Sequence, residues 1–309
     1  MLRVVVLGAA AGGGVPQWNC GCPVCLQART EHSELLSTQA SIAVSADGDH
    51  WFLINAWPDL RQQLIATPQL HPAAGKLRHS PIAGVILTNG EIDAVAGLLS
   101  MREGWPFTIY AHAKVLAILK TNSIFNVLNE KNVRRQPIEE DETFEPTLPD
   151  GSPSGIEILP FAVAGKSAWY LEGKAHPAGD SDVGDTLGLR IRDRATGRFF
   201  YFLAACAGVP DALKSRLAGT PLVFFDGTVW RDDELIVAGL GNKTGQGMGH
   251  IAMSGDSGAI AALAGLDIDR KVFLHINNSN PVLLRDSAER KTAEHAGWQI
   301  PTDGMEIVL

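Results

Sequence analysis

Short aliphatic runs, each stopped by a polar residue or a glycine, recur from one end of the chain to the other and leave few folds open. Residues 4–7, 41–44, 51–54 and 85–87 in the first half, and 156–159, 187–191, 199–203, 222–225 and 272–276 in the second, have the length and the β-branched or aliphatic content of strands. Arg194-Ala195-Thr196-Gly197 is a turn that makes a hairpin of two of them. Helical patterns interleave at 58–66, 94–102 and 114–120, the first opened by Pro58, which suits a first helical turn. The acidic, proline-rich stretch 139–154 has no periodicity and reads as a connection. Strands followed by helices in both halves suit two sheets packed face to face with helices outside, and a doubly wound parallel sheet satisfies the same pattern.

With 309 residues, 45% of them hydrophobic and 19% charged, the chain can bury a large core. Its net charge of −8 is spread along the sequence, which argues against nucleic acid or an anionic membrane surface as a partner. The opening MLRVVVLGAAAGGG is too short to span a bilayer and lacks the charged start and cleavage site of a secretory signal, so a cytoplasmic location without membrane insertion is expected.

Three of the four cysteines, Cys20, Cys22 and Cys25, fall in C-x-C-x-x-C spacing while Cys206 stands apart. That spacing lets three thiolates converge on one soft cation, and a structural zinc site around residues 19–25 is expected over three unrelated core thiols. A tetrahedral site needs a fourth ligand, for which the candidates are a histidine, a carboxylate or the Asn277-Asn278 pair. Gly8 to Gly14 follows a strand but lacks the spacing of a phosphate loop, and reads as a tight turn into the cysteine cluster. The second glycine-rich stretch, 239–249, leads into His250 and reads equally as a surface loop or as a loop over a binding site.

Polar groups end several of the hydrophobic strands. Asp93 follows the run ending in Leu87-Thr88-Asn89-Gly90-Glu91-Ile92, Asp226 ends Phe224-Phe225, and His275 ends Val272-Phe273-Leu274. Asp93 alone would suit a helix cap, and a lone buried histidine is more often a satisfied core residue than a ligand. Three polar strand ends together favour a metal or catalytic centre. His176 is a weaker candidate, and His32, His50, His71, His79, His112 and His295 are expected at the surface.

Taken in order, these pieces resemble the PqqB family of pyrroloquinoline quinone (PQQ) synthesis within the metallo-β-lactamase superfamily. The resemblance rests on Gly12-Gly13-Gly14-Val15-Pro16-Gln17-Trp18-Asn19 with the cysteine cluster, Gly90-Glu91-Ile92-Asp93, Phe225-Asp226-Gly227-Thr228, Met248-Gly249-His250 and His275-Ile276-Asn277-Asn278-Ser279-Asn280-Pro281. It implies an α/β fold, the four-layer αββα sandwich of the superfamily, formed as a single domain over 1–309. The superfamily's His-x-His-x-Asp-His motif has its counterpart at Asn89, Glu91, Asp93 and Ala94, so only the aspartate is kept. Relatives ordinarily hold a histidine where this chain has Ala94. An active-site metal held by Asp93, Asp226 and His275 then has at most three protein ligands, unless His250 or His176 is added.

The function implied is a step in PQQ synthesis: an iron-dependent hydroxylase, with Fe²⁺ in the active site beside the structural Zn²⁺, that uses O₂ to oxygenate the tyrosine ring of a peptide-derived, cross-linked Glu-Tyr precursor. His250 is the expected acid or base, and loop 239–249 is expected to close over the substrate. Other PQQ biosynthesis proteins are possible partners. The alternative implied by the same family is a carrier that takes PQQ or its precursor toward the periplasm without catalysis. Two-metal hydrolysis fits least, because it needs the histidines missing at 89, 91 and 94.

Overall fold

The computed structural model describes residues 1–30, 34–171 and 184–309; His32 and His176 lie outside them. Two sheets form. The first runs in the order β13-β1-β2-β3-β4-β5-β6, built from β1 (Arg3–Gly8), β2 (Ser41–Ser45), β3 (Trp51–Ile54), β4 (Ile82–Ile86), β5 (Phe107–Ala111), β6 (Val133–Pro137) and β13 (Glu306–Val308). The second runs β12-β11-β10-β9-β8-β7, from β7 (Ile156–Ala162), β8 (Leu187–Asp193), β9 (Phe199–Leu203), β10 (Val223–Asp226), β11 (Lys271–Leu274) and β12 (Trp298–Gln299).

Side chains alternate across each strand, and this sorts the apolar residues into layers. Val4, Val6, Ile42, Val44, Phe52 and Ile54 of the first sheet meet Leu189, Ile191, Phe200, Phe202, Phe224 and Val272 of the second in one core. Their neighbours Val5, Leu7, Ala43, Trp51 and Leu53 face outward onto Leu60, Leu98, Val115 and Leu119 of the helices over the first sheet. Tyr201, Val223, Phe225 and Phe273 face outward onto Leu213, Leu217, Ala259 and Ala293 over the second. Both faces of the inner strands are therefore buried, which is why their sequences read as continuous apolar runs. The result is the αββα sandwich, and the doubly wound single sheet is ruled out by the two separate ladders.

Each sheet carries a parallel block: β3, β4, β5 and β6 in the first, and β9, β10, β11 and β12 in the second. Their carboxyl ends, where open α/β sheets bind ligands, lead into the residues of the candidate site. The expected hairpin pairs β8 with β9 antiparallel, with Gly197 in the left-handed region at φ 73°. The helix expected at 94–102 is instead a four-residue α-turn, Ile92–Val95, continued as a 3₁₀ segment Ala96–Met101. His112 is another correction, because it is buried and caps the helix Ala113–Thr121 by accepting from Lys114 N at 3.3 Å. No helix among the described residues is long and apolar enough to cross a membrane.

Phe224 is fully buried on β10 and packs edge-on against Phe200 with ring centroids 5.6 Å apart. Phe224→Ala is expected to destabilise the fold by about 3–5 kcal/mol, read from the midpoint of urea unfolding at unchanged slope.

Candidate metal centres

The loop after β11 is the hub of both candidate centres. His275 takes φ 59°, a left-handed conformation uncommon outside glycine, and backbone hydrogen bonds pin it from two sides. On one side Ile276 N donates to Ala9 O at 2.9 Å and Ala11 N to Ile276 O at 2.8 Å. On the other, Gly227 N donates to Leu274 O at 2.7 Å and Asn277 N to Thr228 O at 3.0 Å. Buried Asn280 completes the brace with its side chain, donating to Gly227 O at 3.2 Å and accepting from Val282 N at 3.0 Å.

This brace sets the His275 ring against that of His250, stacked with centroids 4.8 Å apart, over the fully buried Asp226. One ligand atom from each of Asp226, His250 and His275 falls within 4.8 Å of the others. Asp226 is oriented through both oxygens: Oδ2 accepts from Cys206 N at 2.8 Å and bonds His250 Nδ1 at 2.6 Å, while Oδ1 accepts from Thr228 N and Oγ1 at 3.0 and 2.7 Å. Thr228 Oγ1 also bonds His275 Nδ1 at 2.6 Å, so a single hydroxyl ties the carboxylate to the imidazole. Burial, reinforced by repulsion from His250 and only partly offset by Asp226, pushes His275 down to about 3. It is thus a neutral imidazole, the form that ligates metals.

A cavity of about 300 Å³ opens over the two imidazoles of this trio, and Asp226 is not among its lining residues. Asp93 lines it together with His250 and His275 but is not one of the three atoms that converge. Its Oδ1 accepts from Gln39 Nε2 at 3.2 Å, and burial, opposed by that bond, raises its carboxyl above the usual range. Gly12 gives it room, since a Cβ there would sit 2.8 Å from Asp93 Oδ2. Lys243, Met248 and Gly249 of the second glycine-rich stretch form part of the wall, so of the two readings of that loop the binding one fits. Ala94 is fully buried and its side chain belongs to the apolar layer beneath the first sheet, so packing fills the place of a motif histidine.

The cysteines form a second group. Cys20, Cys22 and Cys25 converge within 4.8 Å, and backbone N–H groups of Gln17 and Cys22 point at Cys25 and Cys20 at 3.4 Å, with Cys25 N donating to Cys22 Sγ at the same distance. Such donors favour thiolates, and the Cys20 thiol is lowered by its hydrogen bonds despite the cost of burial. Burial instead pushes Cys22 up to about 11, a thiol that needs a cation to ionise at neutral pH. Of the fourth-ligand candidates, Asn278 is the one that packs on the cluster: its side-chain amide donates to Cys25 Sγ at 3.2 Å, and Cys22 Sγ lies 3.4 Å from its backbone carbonyl. The donor set fits zinc.

The sequence groups Asp93, Asp226 and His275 as metal ligands, with His250 as acid or base or as an added ligand; the compact trio contains His250 in place of Asp93. Sequence reasoning assigned no role to Thr228 or Gln39, although Thr228 stands two residues after a strand-end aspartate, where a hydroxyl readily orients a carboxylate. Cys22→Ser is expected to remove close to one equivalent of zinc per chain while leaving the metal at the Asp226 centre in place, measured by elemental analysis of freshly purified protein. Loss of both metals, or of neither, would contradict two separate centres.

A β-lactamase superfamily domain model matches residues 50–276. The coenzyme PQQ synthesis protein B of Bradyrhizobium diazoefficiens is 75% identical over 309 residues, all of both chains, and that of Gluconacetobacter diazotrophicus is 54% identical over 99% of each. Among solved structures, Zn²⁺-bound PqqB from Methylobacterium extorquens superposes with a TM-score of 0.91 at 47% identity, covering 99% of this chain and all of that one. A diphosphatase of the PhnP family, at 20% identity and a TM-score of 0.69, shares the fold. The chain therefore belongs to the coenzyme PQQ synthesis protein B family of the metallo-β-lactamase superfamily.

Proposed function

We propose that this protein acts in PQQ biosynthesis as an iron-dependent oxygenase that hydroxylates the tyrosine ring of the cross-linked Glu-Tyr precursor. The observation that carries the reading is the trio of Asp226, His250 and His275, whose two imidazoles line a cavity of about 300 Å³. Two imidazoles and one carboxylate suit Fe(II) and leave coordination positions for O₂ and substrate, whereas a hydrolytic two-metal site would need more histidines than this chain has. Iron bound there would supply the activation of O₂.

The residues do the rest. Thr228 and the Cys206 amide hold Asp226 so that the carboxylate is preorganised, and burial keeps His275 neutral. Asp93, facing the same cavity with a raised pKa, takes the phenolic proton of the substrate. Apolar wall residues, among them Trp57, Ala94 and Met248, limit water around the reacting ring. One atom of O₂ enters the ring C–H bond and the other leaves as water, so two electrons come from an added reductant.

Protein loaded anaerobically with Fe(II), then given the Glu-Tyr diamino acid, O₂ and ascorbate, is expected to consume O₂ and release a product one oxygen atom heavier. Binding without O₂ uptake would make the protein a carrier. Asp226→Asn and His250→Ala are expected to lower iron affinity by more than the roughly 10–100-fold that loss of an outer partner costs, while Asp93→Asn keeps its iron and loses turnover. Iron lost from Asp93→Asn and kept by His250→Ala would reverse the two roles.

A further inference from the structure

The two sheets bring opposite charges to the cavity. Glu91 and Asp93, from the loop after β4, line it from the first sheet; Lys166, from the loop after β7, and Lys243, from the glycine-rich stretch after β10, line it from the second. The chemistry so far uses neither lysine. Lys243 is exposed and Lys166 half-buried, so a molecule entering the cavity can reach both. In a chain with a net charge of −8, two cations brought to one side of a cavity select for an anionic group on the ligand.

Lys166 is placed by what lies under it. Ala207 N donates to Ala164 O at 2.7 Å, and Thr186 Oγ1 to Lys166 O at 3.4 Å. Gly165 allows that approach, since a Cβ there would stand 2.4 Å from Thr186 Oγ1. The aliphatic stem then crosses Gly249, where a Cβ would come 3.2 Å from Lys166 Cγ and 3.7 Å from Cδ, and Gly249 is itself on the cavity wall. Only Cε separates Cδ from the ammonium, which therefore stands at the lip next to the residue that precedes His250. Lys243 belongs to the same loop as Gly249. Asp232 ties that loop down, its carbonyl accepting from Gly245 N at 2.8 Å and its Oδ1 from Gln246 N at 2.7 Å. His250 N donates to Gly245 O at 2.9 Å, so the loop is bonded directly to a histidine of the metal centre.

We infer that Lys166 and Lys243 are specificity-determining residues that bind a carboxylate of the substrate on the second-sheet side of the cavity, leaving the rest of the molecule to reach His250 and His275. The inference rests on the reading of this cavity as a substrate site and adds the group that it selects. An ammonium has three donors, so each lysine can hold a ligand oxygen together with a protein partner. On the first-sheet side the same carboxylate would meet Glu91 and Asp93, and like charges there turn the ligand around. Lys166, partly desolvated, contributes more than Lys243, which solvent and salt screen.

The test compares wild type with Lys166→Met and Lys243→Met, which keep an unbranched stem and remove the charge. Binding of the Glu-Tyr diamino acid and of its methyl ester, in which the carboxylates are capped, is followed by anaerobic calorimetry on the purified, metal-containing protein, with metal content and thermal midpoint checked for each variant. Lys166→Met is expected to weaken binding of the acid about tenfold and Lys243→Met about threefold, while ester binding changes less than about twofold in either. Lys166→Arg, which keeps the charge, should retain most of the affinity for the acid. In turnover KM should rise by similar factors and kcat change less. Acid and ester bound equally by wild type, or equal losses for both ligands in the variants, would overturn the inference. The expected binding pattern in a protein that takes up no O₂ would leave this inference standing and remove the oxygenase reading, whereas turnover with KM unchanged in both variants would do the reverse.

Discussion

The whole site hangs on the few residues that follow β11 being unable to go anywhere else. His275 occupies a backbone region that costs a non-glycine residue about 1–3 kcal/mol, and such a conformation persists only where the surroundings over-determine it. Here they do. Backbone bonds to Ala9 and Ala11 hold one edge of the turn and bonds to Gly227 and Thr228 hold the other, so the two sheets meet across it. Once the turn is fixed, the imidazole has one direction to point, and it points at His250 and Asp226.

That constraint explains why the cysteine cluster is more than a decoration of the N-terminal loop. Asn278, three residues beyond His275, is buried between Cys22 and Cys25, which are separated from it by 256 and 253 positions in sequence. Arg29 gathers the same loop by donating to the carbonyls of Cys20 and Gln17, each at 2.6 Å. Thiolates bound to one cation would hold these distant stretches of chain together more firmly than neutral hydrogen bonds alone. A cation among the cysteines would therefore act on the distant centre indirectly, by keeping the turn that carries His275 in register.

Much of this was legible in the sequence because burial leaves a plain mark. Continuous apolar runs such as 222–225 announced strands covered on both faces, and their sudden polar ends at Asp226 and His275 announced a crevice at the strand tips. Three cysteines in six residues announced a soft-metal group. What stayed hidden depended on tertiary distance. The choice between a doubly wound sheet and two facing sheets turns on which strands pair, and local pattern is silent on that. The short strand Glu306–Val308, which pairs with β1 across the entire chain length, and the helices Asp211–Leu217 and Ala288–His295 gave no comparable pattern. The place of His250 was hidden for the same reason. Its stretch is polar and glycine-rich, so nothing local says that its ring will stack on a histidine 25 positions further on.

The electrostatics of the site follow from one contrast in environment. Asp226 has no exposure at all, and four hydrogen-bonding groups converge on its two oxygens. Asp93 is also largely buried but has the single bond from Gln39, so desolvation wins and its proton affinity rises. Two carboxylates near one cavity thus acquire different characters: one fixed and saturated, suited to holding a cation, the other under-bonded and readier to take a proton. Ala94 sharpens the contrast. With an apolar side chain packed where the superfamily motif has a histidine, no imidazole competes for Asp93, and its carboxylate is left facing the ligand space. An apolar residue at 94 thus leaves Asp93 lining the cavity, the position that the proposed base requires.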